Sequence, residues 1–109
     1  MTIFNDRDKA EEKKFVLNAE QEFRVDARRN KLLGLWVASL MGKTDDDAMA
    51  YALEVIKSDM EEPGDEDVFR KIKQDVISSG IELSDSEIRG RMDVLMTEAR
   101  AQIASEASA

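Results

Sequence analysis

Residues 27–41 read ARRNKLLGLWVASLM, and this stretch decides how the chain folds, because a mixed-charge segment changes there into the most apolar run of the sequence. On a helical wheel Leu32, Trp36, Leu40, Leu33, Val37 and Met41 follow one another over about half the circumference, a broader stripe than a surface helix needs. The spacing predicts a helix at the centre of the core. Gly34 stands beside that stripe at a cost of about 1 kcal/mol relative to Ala, so a close neighbour is expected against it. Arg28, Arg29 and Lys31 mark where burial begins.

Upstream, Phe4 to Lys31 contains good helix formers and no Pro or Gly, with Glu20 and Arg24 as an attractive pair four residues apart. Large apolar residues are sparse: Phe4, Phe15 and Phe23 fall on one narrow stripe. A segment of this kind buries too little to be ordered alone. A single first helix of 35 residues would reach about 50 Å, more than the rest of the chain can cover. Residues 1–18 are therefore expected to be a mobile arm that projects or is disordered, and residues 19–109 to be the folded domain.

Downstream, Gly42 suits a helix C-cap, and Thr44 with Asp45, Asp46 and Asp47 suits the next helix start. Met49, Ala52, Leu53, Ile56 and Met60 then recur on one helical face. Glu61-Glu62-Pro63-Gly64-Asp65 stops that helix. Asp65 is placed to cap a third, whose apolar face is Phe69, Ile72, Val76 and Ile77 and which closes at Ser78-Ser79-Gly80. Ser84-x-x-Glu87 is a capping box, with Leu83 and Ile88 positioned as its staple. Ile88, Met92, Leu95, Met96, Ala99 and Ile103 continue the stripe before a tail, SEASA, expected to fray. No stretch alternates with period two. The reading is an all-α four-helix bundle with a long first helix.

One domain is what 109 residues provide, and the chain has no cysteine and no histidine. Disulfides, thiolate nucleophiles and thiolate metal sites are thereby removed, together with the usual general base at neutral pH and the commonest metal ligand. The expectation is a protein that is not an enzyme, needs no cofactor and carries no metal. Its net charge of −8 opposes nucleic-acid binding. The charge is unevenly placed: residues 1–31 hold eight Lys/Arg and seven Asp/Glu, leaving eight and seventeen in residues 32–109. No targeting segment is visible, and the apolar run from Leu32 to Gly42 is too short to span a bilayer. A cytoplasmic protein with no direct membrane insertion, monomeric when free, is expected.

Gly42-Lys43-Thr44 imitates the end of a phosphate-binding loop, but Val37 stands where that loop needs a glycine, and a helix rather than a strand precedes it. Weak ATP or ADP binding near Lys43 is what survives of that signal. Asp45-Asp46-Asp47 lacks the alternation and the distant glutamate of a calcium loop. Met49, Met60, Met92 and Met96 fall on core stripes, and Trp36 and Tyr51 read as core anchors. Phe4, Phe15 and Phe23 are harder to explain on a solvated helix, and as one row they suit insertion into a groove.

ARRNKLLGLW at residues 27–36, F-x-x-R-D-K-A-x-E-x-K-F at Phe4–Phe15 and EEPGDEDVFRK at Glu61–Lys71, with Ser84–Gln102, resemble the zeta subunit of alphaproteobacterial F-type ATP synthases. The resemblance covers essentially the whole chain. It implies a regulatory subunit that inhibits ATP hydrolysis by the catalytic head, its N-terminal helical arm inserting at an interface of α and β subunits near the central stalk, at the cytoplasmic head of the membrane-bound synthase. Phe4, Arg7, Asp8, Lys9, Ala10, Glu12, Lys14 and Phe15 are the inhibitory residues it implies here. An adenine-nucleotide sensor and a helical adaptor are the competing readings.

Overall fold

The structure, a computed structural model, describes residues 17–59 and 64–108. It contains four helices, α1 (Ala19–Leu40), α2 (Asp45–Ser58), α3 (Glu66–Ser78) and α4 (Asp85–Ser108), and no strand among the described residues. The all-α four-helix architecture is therefore as the periodicities predict.

The boundaries follow from capping chemistry. Asn18 is extended, its Oδ1 accepts from the Gln21 N–H at 2.8 Å, and the Gln21 side chain accepts from the Asn18 N–H at 3.0 Å. Those two bonds satisfy donors that a helix start leaves orphaned, and they make Asn18 a terminus. α1 thus begins at Ala19, where the folded domain is expected to begin, and has 22 residues; α4, with 24, is the longest described helix. At the other end, Lys43 N–H bonds to Ala38 O and Gly42 N–H to Ser39 O, with Gly42 at φ +76°. The same pair of bonds recurs after α3, from Ile81 to Val76 and from Gly80 to Ile77, with Gly80 at φ +72°. Both are Schellman ends, which require a residue tolerant of the left-handed region. Ser84 and Glu87 form the expected capping box.

Thr44 and Asp65 occupy the expected N-cap positions, but neither makes a side-chain cap bond; the Asp65 carboxylate is instead taken by Arg29 at 2.7 Å. The SEASA tail does not fray within the described residues, since α4 continues to Ser108 and Glu106 holds Arg28 at 2.8 Å.

α2 and α4 flank α1, and α3 completes the layer behind. Leu33 and Val37 of the opening stretch are fully buried, with Leu32, Trp36 and Met41 half-buried against the same cluster. Leu40 is exposed, contrary to the predicted stripe, while Ala38 is buried. The reason lies at Gly34. A Cβ there would stand 2.6 Å from the Ala52 Cα, so α2 crosses α1 in near backbone contact. The small-residue side of α1 is consequently a buried side.

The same crossing turns α2. Tyr51, Ala52 and Val55 are buried, while Met49 and Leu53, which the periodicity placed inside, are 42% and 52% exposed. Both faces of α2 are apolar at helical spacing, and close approach at Ala52 selects one of them. In α3, Val68, Phe69, Ile72 and Val76 are buried and Ile77 is exposed, another departure from the predicted face. In α4, Ile88, Met92, Leu95, Ala99 and Ile103 are buried as predicted. Met60 lies outside the described residues.

Candidate functional site

ARRN at residues 27–30 explains itself once the helices are packed. Arg29 and Asn30 are 1% exposed, and no sequence periodicity marks Asn30 as an interior residue. Arg29 Nη2 holds the Asp65 carboxylate at 2.7 Å, Arg29 Nε donates to Asn30 Oδ1 at 2.7 Å, and Asn30 Nδ2 donates to Asp59 Oδ2 at 2.9 Å. The two ends of the α2–α3 connection are therefore fastened to the middle of α1. Each buried donor of this chain finds an acceptor, which is the condition for burying a charge. Asp26 stands in the same field; burial and then the Asp59 carboxylate push its carboxyl above the ordinary value, against the pull of Arg29.

Two Arg–Glu forks join α1 to α4. Arg100 holds Glu22 at 2.7 and 3.1 Å, and Arg28 holds Glu106 at 2.8 and 3.1 Å while also donating to Gln102. Hydrogen bonding from Arg100 lowers the Glu22 carboxyl, and hydrogen bonding from Arg28 lowers that of Glu106. Between the forks Val25, Ala99 and Ile103 form a second apolar cluster. On the far side, Tyr51 donates to Asp75 at 2.7 Å and Lys71 bridges Asp75 and Glu54 at 3.0 and 3.1 Å. Burial, followed by the bond to Asp75, raises the Tyr51 phenol far above its usual range. Trp36, half-buried, carries the Arg91 guanidinium 4.8 Å from its ring.

Lys43 is exposed in the turn after α1, its amide already bonded to Ala38 O, and Asp45–Asp47 form the adjacent first turn of α2. The other residues that the sequence nominates for binding, Phe4, Arg7, Asp8, Lys9, Ala10, Glu12, Lys14 and Phe15, lie outside the described residues. Phe23, the third phenylalanine of that row, is described and is 60% exposed on α1. Nearby, an open groove of about 340 Å³ is lined by Arg24, Ala27, Arg28 and Lys31 of α1, Ile56 of α2, and Ile103 and Glu106 of α4. No group of His, Cys, Asp and Glu able to hold a metal ion is found among the described residues. None of the described helices is long and apolar enough to cross a membrane.

The described residues thus form an acidic helical bundle whose surface carries ion pairs, exposed apolar side chains and an open groove. The chain belongs to the ATPase inhibitor subunit zeta family, whose model matches residues 1–102. Membership ties it to the ATP synthase as a regulatory rather than a catalytic component. A structure solved by NMR in solution is 47% identical, with a TM-score of 0.69, the match covering 78% of this chain and 96% of that one. No curated protein matches the chain.

Proposed function

We propose that this protein inhibits ATP hydrolysis by inserting residues 1–18 at an interface between α and β subunits of the synthase head, near the central stalk, while the bundle stays outside. The observation that carries the reading is the extent of the family match: it begins at residue 1, so Phe4 to Phe15 fall within it as fully as the bundle does. The physics is that of state trapping. A rotary ATPase opens and closes its catalytic interfaces in turn, and a ligand that prefers one state holds the machine there. Phe4 and Phe15 act as buried anchors, with Ala10 leaving room between them. Arg7, Lys9 and Lys14 set the register against acidic walls, and Asp8 and Glu12 against basic ones. Ordering the segment consumes part of the interaction energy, which keeps inhibition tunable.

The test is ATP hydrolysis by the matching isolated catalytic head with the full chain and with a chain lacking residues 1–18. Strong inhibition by the first and none by the second is expected. Equal inhibition by both would move the function to the bundle and reject the insertion.

A further inference from the structure

We infer that the groove between α1, α2 and the end of α4 docks an acidic amphipathic helix on the surface of the synthase head, so that the bundle makes a contact of its own. That the helix belongs to the synthase rests on the function proposed above; the chemistry of the groove does not. The groove has an apolar floor that the fold leaves uncovered. Ala27 of α1 and Ile56 of α2 line it. Leu53 and Met49, three and seven residues before Ile56, continue it along α2 and are 52% and 42% exposed. Phe23, one turn before Ala27, continues it along α1 and is 60% exposed. α1 and α2 run antiparallel, with Asn30 beside Asp59 and Gly34 against Ala52, so Met49 stands level with Val37 of α1. From Phe23 to that level is about 21 Å, the length of a helix of about 14 residues. A row of apolar side chains of that length between two helices is what a third, amphipathic helix covers.

Charge selects the occupant. Residues 32–109 hold seventeen Asp/Glu against eight Lys/Arg, yet the groove is edged by cations. Arg24, Arg28 and Lys31 stand on the α1 side, and Lys57, one turn after Leu53, stands on the outer side of α2. The acids within reach are already engaged: Glu20 with Arg24 at 3.2 Å, Glu106 with Arg28 at 2.8 Å, Glu54 with Lys71 at 3.1 Å and Asp59 with Asn30 at 2.9 Å. Lys31 and Lys57 make no ion pair among the described residues. Asp45–Asp47 lie past Met49, at the far end of the path. A helix with Asp or Glu on both edges of an apolar stripe therefore meets a lysine on each side while its stripe covers Ile56 and Leu53. A second copy does not fit, because a twofold axis through the groove would set these cations against themselves. The chain's own residues 1–16 do not fit either, since their four Asp/Glu are balanced by four Lys/Arg and leave no acidic excess.

The chain has no cysteine, so Leu53→Cys in the full chain accepts a single benzophenone label, and Ile77→Cys, on the exposed side of α3, serves as control. Irradiated with the matching isolated catalytic head, the label at position 53 should form adducts that peptide mapping places on a helix rich in Asp and Glu, and the label at position 77 should form none. Lys31→Glu combined with Lys57→Glu should raise the concentration needed for half-inhibition at least about tenfold and leave the rate at saturation unchanged. That loss should shrink at raised salt. Lys31→Arg with Lys57→Arg should behave as the native chain, and thermal melts of both pairs should match it. Equal adducts from the two labels, adducts on a surface without acidic excess or between copies of the chain, or none at position 53, would overturn the docking. So would an unchanged half-inhibitory concentration in the Glu pair. Adducts at position 53 without inhibition reject the proposed function and leave the docking; inhibition without those adducts does the reverse.

Discussion

Arg29 shows how one residue changes meaning between sequence and structure. In the sequence it belongs to a run of cations at the edge of an apolar stripe; in the fold its side chain is 2% exposed and paired to a half-exposed Asp65. Removing one partner of such a pair leaves Asn30 without its donor and opens a cavity. Arg29→Ala is expected to cost about 3 kcal/mol, against less than about 0.5 for Arg24→Ala in its exposed pair with Glu20, as read from urea unfolding. Gly34 is legible from the outset as a place of close approach. Gly34→Ala forces a methyl to within 2.6 Å of the Ala52 backbone, so the gain in helix propensity is outweighed and a net loss of about 1–3 kcal/mol is expected in the same assay. Asp26 gives a pH prediction of opposite sign to an ordinary ion pair. Its carboxyl is raised, so its charged form opposes folding once the pH exceeds the ordinary aspartate value of about 3.9. Asp26→Asn should stabilise the protein near neutral pH, and thermal melts should show the gain fading as the pH falls below that value.

At the scale of the element, helix ends follow local chemistry and helix faces do not. Gly42 and Gly80 end helices through the same two bonds, and Ser84 with Glu87 opens one, all readable from residues a few positions apart. Asn18 and Gln21 form an equally local box. The Glu20–Arg24 pair and the unbroken run of helix formers obscure it. The rotation of α2 is a different case, since Met49, Leu53 and Ile56 compete on equal terms with Ala48, Tyr51 and Val55. Val55→Ala should cost about 2 kcal/mol, whereas Leu53→Glu should leave the melting temperature nearly unchanged. The reverse order would place α2 the other way round. The α1–α4 junction has its own pH signature: the Glu22 and Glu106 carboxyls are lowered, so their contribution is present above the ordinary glutamate value of about 4.3 and is lost as the pH falls through the lower folded values. Replacing both by Gln should flatten the acid limb of a stability–pH curve.

For the whole molecule, fold and proposed inhibition are carried by separate parts of the chain. Trp36 packs half-buried against the main core under Arg91, and Trp36→Ala should lower stability by about 3 kcal/mol. Phe15→Ala should leave the thermal melt unchanged and weaken inhibition of the catalytic head, so melts and ATPase assays on the two variants check the division together. A shared loss in both assays for both variants would show a single cooperative unit instead.

The four helices, most of their ends, the α4 stripe and the family resemblance follow from the sequence, because periodicity, capping and motif spacing are properties of neighbouring residues. The candidate inhibitory residues are likewise nominated by pattern alone. The choice between two apolar faces of α2, the burial of Arg29 and Asn30, and the groove beside Lys31 were decided only by tertiary structure. Each depends on where α2 crosses α1, and that crossing is set by the distance of closest approach at Gly34 and Ala52, residues separated by half a helical hairpin. No local pattern encodes such a distance.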